Sequence, residues 1–175
     1  MITRRMLTLT GMAGLLAGAI PRRVFAAAAD DPVTIINAIY ARAAKGNGDG
    51  GGAFVIETKA AKAKYLSKAL VALWAKADAH TPKGDVGPVD FDPVTNSQEP
   101  DVKSFAVTRE KLEGDKAVIA VTIAGRGAPR AKPADNVIRY DFVRDDGRWK
   151  IDDISGNSDG EVWSIRGMLT ESLNN

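Results

Sequence analysis

The stretch VIRYDFVRDDGRWKIDDI, residues 137–154, decides the fold because it contains two alternating segments joined by a tight turn. An Asp-Gly pair between such segments is the strongest short-range signal of a β-hairpin, and Asp146-Gly147 occupies that position. The predicted pairing gathers the apolar side chains on one face, which we expect to carry the helices. These side chains are Ile138, Tyr140, Phe142, Trp149 and Ile151.

Two further strands precede this hairpin. Residues 105–113 and 116–126 also alternate, and Gly114-Asp115 between them is a second hairpin turn. The turn places Glu113 opposite Lys116, and a pair of opposite charges supports this register. The pattern predicts an antiparallel sheet of about four strands.

Helical periodicity lies on both sides of the strands. Asp31-Pro32, a typical N-cap followed by a first-turn proline, begins a helix over 32–45, and a second helix is predicted over 58–79. Ser158 or Asp159 would cap a last helix. The inward side of that helix would contain Val162, Trp163, Leu169 and Leu173. This order predicts an α+β fold, with two N-terminal helices and a C-terminal helix packed on a curved antiparallel sheet.

The first residues have a different character. Arg4-Arg5 precedes an apolar, glycine-containing stretch from Met6 to Ile20, and a run of alanines follows. This order is typical of a secretory signal, and the arginine pair resembles the twin-arginine consensus. We expect an export signal over 1–28, cleaved near Ala26 to Ala28, and a single α+β domain over 29–175. The apolar stretch is shorter than the roughly 20 residues of a membrane span, so we expect a periplasmic, soluble protein without a membrane anchor after cleavage.

Removing the signal changes the charge. The chain has 24 basic and 22 acidic residues, and residues 1–26 contain four arginines and no acid, which leaves 20 basic against 22 acidic residues. Binding of nucleic acid needs a clustered positive surface, so we expect no nucleic-acid partner. The sequence has no cysteine and a single histidine, His80. This composition excludes disulfides, thiolate zinc sites, iron–sulfur clusters and multi-histidine metal sites within one chain, and we expect no cofactor.

Two short motifs carry a family resemblance. They are Phe91-Asp92-Pro93 with Gln98, and Trp149-Lys150-Ile151-Asp152-Asp153-Ile154. Together they resemble the bacterial periplasmic family known as domain of unknown function 3828, over nearly all of the chain after the signal. The resemblance implies export and a nuclear transport factor 2-like cone with a pocket beneath its helices. It implies no particular activity.

Paired carboxylates in the hairpin are the first candidates for chemistry. The predicted register places Asp141 opposite Asp152. Two adjacent carboxylates at a buried site raise the pKa of one of them and create an acid/base candidate. The alternative is a solvated surface on which Arg139 and Lys150 neutralise the pair.

A pocket on the helix-covered face would be lined by Tyr140, Trp149 and Asp153. The predicted register places Asp153 beside Tyr140. Some enzymes with the cone fold use a carboxylate as general base with a tyrosine donor, so this pair is the catalytic hypothesis, by analogy of fold alone. The structural alternative is that Asp153 bonds to a helix terminus or a loop backbone and that Trp149 anchors the core.

The long segment over 80–101 is rich in side-chain oxygens. Asp90, Asp92 and Asp101 are of the type that binds Ca²⁺, but the segment lacks the central glycine and terminal glutamate of an EF-hand loop. The alternative is that these side chains form turns with the neighbouring backbone around the prolines.

Two functions are therefore compatible with the sequence. The first is a non-catalytic periplasmic binding or interaction domain, whose partner is a small apolar or amphipathic molecule or another periplasmic protein, as in an immunity-type inhibitor of a toxin. The second is a cofactor-free isomerase, dehydratase or hydrolase that uses Asp153 and Tyr140. The export signal and the lack of a nucleophile or metal cluster favour the first.

Overall fold

A computed structural model describes residues 30–45, 51–127, 130 and 132–174. The predicted export signal lies outside these residues. Within them, five strands form one antiparallel sheet in the order β1-β2-β3-β4-β5. The strands are β1 (Ser104–Glu113), β2 (Lys116–Ala124), β3 (Val137–Asp145), β4 (Arg148–Ser158) and β5 (Glu161–Ser164). The α+β class and the antiparallel sheet are confirmed, and the described part of the chain has one strand more than predicted.

The first helix, α1 (Pro32–Ala43), begins where the sequence predicts. The Asp31 carboxylate accepts a hydrogen bond from Thr34 N at 3.1 Å, and Pro32 occupies the first turn. An N-cap of this type satisfies an otherwise unpaired backbone N–H. The cap is local in sequence, which is why the pattern alone located it.

The single helix predicted over 58–79 is wrong. Its place is taken by α3 (Lys59–Tyr65) and α4 (Lys68–His80), and a short helix α2 (Ala53–Ile56) precedes them. Between α3 and α4 the chain is extended, and Ser67 N donates to Ile151 O at 2.8 Å. Ser67 Oγ then accepts from Leu70 N at 3.0 Å and caps α4. The chain leaves the helix because pairing with β4 satisfies its backbone there.

The C-terminal helix begins later than predicted. Asp159 and Gly160 both have positive φ, and they reverse the chain into β5. Ser164 caps the helix α5 (Ile165–Glu171) by accepting from Gly167 N at 2.9 Å. The prediction of Ser158 or Asp159 as the cap is therefore wrong. Leu169 is buried as expected, whereas Val162 lies on β5 and is 81% exposed.

A β-bulge changes the predicted register between β3 and β4. The pairing runs as expected from the turn to Phe142 opposite Ile151, but Asp141 then pairs with Asp153 and Tyr140 with Ile154. The predicted neighbours Asp141 with Asp152, and Tyr140 with Asp153, are wrong. Ile151 and Ile154 are three residues apart, so a regular strand would send them to opposite faces. The extra residue in the bulge lets both point into the core, where each is 0% exposed.

The core lies between one face of the sheet and the helices. Its fully buried members come from α1, α2, α4, α5 and the three central strands. They include Ile36, Tyr40, Val55, Leu70, Ile119, Ile138, Tyr140, Ile151, Ile154, Ile165 and Leu169. The long segment over 80–101 also reaches this core through Val94, which is 0% exposed. Within the described ranges no helix has the length and hydropathy to cross a membrane.

Candidate functional site

Tyr140, the predicted proton donor, is part of the core. It is 0% exposed, and its hydroxyl lies 3.0 Å from the hydroxyl of Tyr40. Tyr40 in turn donates to the carbonyl oxygen of Val94 at 2.6 Å. Burial raises the pKa of both phenols far above the ordinary value, so both stay neutral. Tyr140 therefore has a structural role. Through Tyr40 it connects the sheet to Val94 in the long segment.

Asp153, the predicted general base, is on β4, and its carboxylate lies beside the first turn of α5. Its Oδ1 accepts from Ile154 N at 2.8 Å and from Arg166 N at 3.0 Å. Burial raises the pKa of Asp153, although the hydrogen bond from Arg166 opposes the shift. The bulge separates this carboxylate from Tyr140, and its contacts are those of the structural alternative, a bond to a helix terminus.

Trp149, the third predicted pocket residue, is also closed off. It is 6% exposed, and the guanidinium of Arg144 covers its ring at 4.6 Å. Its backbone N–H donates to the Asp30 carboxylate at 3.0 Å, and the same carboxylate binds Arg144. Of the three residues predicted to line a pocket, Tyr140 and Trp149 are therefore buried, and Asp153 binds the backbone at a helix terminus.

The cations predicted to neutralise the carboxylate pair bind elsewhere. Arg139 forms hydrogen bonds of 3.0 to 3.2 Å with Glu110 on β1. Lys150 Nζ donates to two carbonyl oxygens at the end of α3. Burial raises the pKa of Asp141, and the charges of Asp153 and Asp152 raise it further.

Asp152, the residue expected opposite Asp141, has partners of its own. Its Oδ1 lies 2.5 Å from Ser67 Oγ and 2.5 Å from an Arg166 guanidinium nitrogen. Asp152 therefore links the break between α3 and α4 to α5, which is a structural task.

The three aspartates considered for Ca²⁺ do not meet. Asp92 accepts from Gly52 N, Val94 N and Thr95 Oγ1 at 2.5 to 2.9 Å. Asp101 accepts from two backbone N–H groups of the segment after β2, and the hydrogen bond from Gly127 lowers its pKa. No group of three acidic or histidine side chains among the described residues is arranged to hold a metal ion. Asp92 therefore forms a side-chain-to-backbone turn with Val94, whereas Asp101 makes a long-range contact with the backbone after β2.

The largest of the recesses described here is a groove of about 560 Å³ between the α3–α4 segment and the β3–β4 turn. We call it the hairpin groove. Its apolar side chains are Ala63, Leu66, Val71, Ala72 and Ala75. Its charged side chains are Lys68, Asp145, Asp146, Arg148 and Lys150. The sequence pattern does not indicate this groove, because small residues scattered over two short helices resemble an ordinary solvated surface.

Some of the charged side chains of the groove neutralise one another. Asp145 accepts from Lys68 N at 2.6 Å, at the first residue of α4, and Lys68 Nζ forms an ion pair with Asp146. Burial lowers the pKa of Lys150, and the neighbouring charge of Arg148 adds to this effect. Within the described residues, Arg148 takes part in no ion pair and no side-chain hydrogen bond. Three cations therefore face two carboxylates, and Arg148 is the cation available to a ligand.

Comparisons of the chain with protein-family models, with curated proteins and with solved structures found no match.

Proposed function

We propose that this chain is an exported, non-catalytic binding protein of the bacterial periplasm and that it holds a single-chain amphipathic carboxylate in the hairpin groove. The observation that carries the proposal is the groove itself, an apolar floor beside Arg148, which has no ion-pair partner among the described residues. The apolar chain of the ligand would lie on Leu66, Val71 and the alanines, and its carboxylate would bind Arg148.

The size and chemistry of the groove support a small ligand. A volume of about 560 Å³ lies within the range of small-molecule sites, which is about 300 to 1,000 Å³. A carboxylate and a guanidinium form two parallel hydrogen bonds, so arginine is well suited to orient such a ligand. The excess of positive charge on the rim would favour an anionic head over a cationic one.

The energetics predict how affinity depends on chain length. A fully buried methylene contributes about 0.8 kcal/mol, and an open groove covers about half of each methylene, or about 0.4 kcal/mol. Two further methylenes should therefore tighten binding about fourfold, until the chain outgrows the groove.

The remaining parts of the proposal rest on the sequence. Export is inferred from Arg4-Arg5 and the apolar stretch after it. The cone fold is inferred from the resemblance to the domain of unknown function 3828 family, and helices on one face of an antiparallel sheet are compatible with it. In this protein the interior of the cone would be filled by Tyr40 and Tyr140, and the ligand would bind outside it.

The test is calorimetric titration of the exported form with octanoate, decanoate and dodecanoate below their micelle concentrations. We expect saturable binding that tightens about fourfold per two methylenes, and Arg148→Gln should weaken it about tenfold because a charge-assisted hydrogen bond is lost. Lys103→Gln is the matched control, since it removes an exposed cation before β1 and should leave the affinity unchanged.

Two results would overturn the proposal. The first is an affinity that depends neither on chain length nor on Arg148. The second is native mass spectrometry of the protein isolated from periplasm that finds a stoichiometric protein partner and no exchange with decanoate, since this outcome would favour the inhibitor function.

A further inference from the structure

A second recess, of about 350 Å³, lies at the other end of β4 from the hairpin groove. We call it the aromatic recess. Phe91, Trp163 and Met168 supply its apolar surface, and Asp90, Asn96, Gln98 and Ser158 are among its polar side chains. It brings together the long segment before β1, the last residue of β4, strand β5 and α5.

The position of the indole is fixed by a glycine. Trp163 on β5 pairs with Gly156 on β4, and a Cβ at Gly156 would lie 2.7 Å from Trp163 Cζ2. Only glycine therefore lets the ring lie against the β4 backbone. On its other side the ring meets Phe91 edge-on, with centroids 5.0 Å apart and an interplanar angle of 80°. The result is a rigid aromatic wall.

Some polar groups of the recess form no hydrogen bond within the described residues. Asn96 has a positive φ of 50°, and its Nδ2 donates to the carbonyl oxygens of Asp135 and Asn157. These bonds fix the orientation of the Asn96 amide, and its oxygen Oδ1 accepts no hydrogen bond from the described residues. The side chains of Gln98 and Ser158 likewise form no hydrogen bond within the described part of the chain.

The indole N–H adds an independent observation. Among the described residues, Trp163 Nε1 is the one buried side-chain nitrogen or oxygen without a hydrogen-bond partner. Leaving such a donor unpaired costs stability. The nitrogen lies on the side of the ring that packs against β4, since a Cβ at Gly156 would be 3.2 Å from it. Phenylalanine, whose single ring is smaller, would present no such donor, so the donor itself requires an explanation.

We propose that the aromatic recess binds a neutral, hydroxyl-rich ligand, a sugar of one or two rings. The aromatic wall would contact the C–H face of the sugar, while the carboxylate, amide and hydroxyl groups around it would exchange hydrogen bonds with the sugar hydroxyls. Asp90 is the one charged residue among those lining the recess in the described part of the chain. Nothing there would select an anion, so this site is independent of the hairpin groove.

The test is titration with N-acetylglucosamine and cellobiose, followed by saturation-transfer NMR and tryptophan fluorescence. Trp74 and Trp149 are only 5% and 6% exposed, so a change of emission would report mainly on Trp163. We expect saturable binding of at least one sugar, weakened about fivefold by Gln98→Ala and by Ser158→Ala, because each removes one neutral hydrogen bond.

Matched controls separate this site from the hairpin groove. Ser104→Ala removes an exposed serine on β1, and Arg148→Gln disables the groove, so both should leave sugar affinity unchanged. Trp163→Phe should weaken binding and leave the fold intact. The proposal is overturned if neither sugar binds saturably, if adenosine or decanoate competes at the recess more tightly than the sugars, or if the Gln98 and Ser158 variants bind as the wild type does.

Discussion

The buried pair of tyrosines gives the sharpest test of the core. Tyr40 donates its hydroxyl hydrogen to the carbonyl oxygen of Val94 at 2.6 Å, so in the contact of 3.0 Å between the two hydroxyls Tyr140 must be the donor. Both side chains are 0% exposed. Water therefore cannot replace a lost partner, and the two substitutions Tyr40→Phe and Tyr140→Phe should differ in cost.

The magnitudes follow from the groups left unpaired. Tyr40→Phe leaves both the carbonyl of Val94 and the hydroxyl of Tyr140 without a partner. Each such buried group costs about 1 to 3 kcal/mol, so the free energy of unfolding should fall by about 2 to 6 kcal/mol. Tyr140→Phe leaves only one lone pair of Tyr40 unused and should cost about 1 kcal/mol. The double variant should be no less stable than Tyr40→Phe, because it removes the orphaned hydroxyl.

The assay is urea unfolding followed by circular dichroism for the wild type, the two single variants and the double variant. Tyr65→Phe serves as the control, since the Tyr65 hydroxyl forms no hydrogen bond with the described residues, and it should change the stability by less than about 0.5 kcal/mol. The reasoning is refuted if Tyr40→Phe costs no more than Tyr65→Phe, or if the costs of the two core substitutions simply add.

Three further outcomes are expected. Asp141→Asn should raise the melting temperature near pH 7, because burial and the neighbouring carboxylates raise the pKa of Asp141 and its ionised form destabilises the folded state. The gain should shrink as the pH falls from the raised pKa towards the ordinary carboxyl value and should be lost below that value. Gly156→Val should cost about 1 to 3 kcal/mol in urea unfolding and shift the emission of Trp163, because the new Cβ would lie 2.7 Å from the ring. Calcium should leave the calorimetric melting temperature unchanged relative to EDTA, because Asp92 and Asp101 already bind donors of the chain itself.

Contrary results would have distinct meanings. A gain from Asp141→Asn that is the same at pH 3 and pH 7 would mean that the charge of Asp141 is not responsible. Unchanged stability and emission in Gly156→Val would show that the indole does not lie against β4. A calcium-dependent rise in melting temperature would revive the metal hypothesis.

The features that the sequence predicted correctly depend on neighbouring residues. The turns at Gly114-Asp115 and Asp146-Gly147, the N-cap Asp31 and the strand alternation require only a few consecutive positions. The α+β class follows from their order. Interactions between residues close in sequence therefore account for these elements, and they do not account for features that depend on contacts between distant segments.

The errors arose where distant segments meet. The extended break at Leu66 and Ser67 depends on pairing with Ile151, which is more than 80 residues away. The bulge at Asp152 had a local signal, since Ile151 and Ile154 cannot both face the core of a regular strand. That signal was sufficient to reject the pairing of Asp153 with Tyr140.

The two recesses were out of reach for a different reason. Each is built from three or more segments, and its shape depends on how those segments pack. The aromatic recess had a partial signal in the polar residues of the long segment before β1, but Trp163 was expected on a helix. Trp163 lies on β5 instead, and there it forms a recess together with the polar residues of the long segment.

Strand β1 has a consequence for the behaviour of the protein at high concentration. It is the first strand in the sheet order, and among the described strands it pairs with β2 alone. An edge strand of this kind can pair with a strand from another molecule. The second half of this strand is highly charged, with Arg109, Glu110, Lys111 and Glu113. Its pairing with β2 is irregular at Glu110. Charges and a bulge at an edge disfavour the growth of one sheet into a continuous aggregate. The edge thereby helps the folded protein to remain dispersed when it is concentrated.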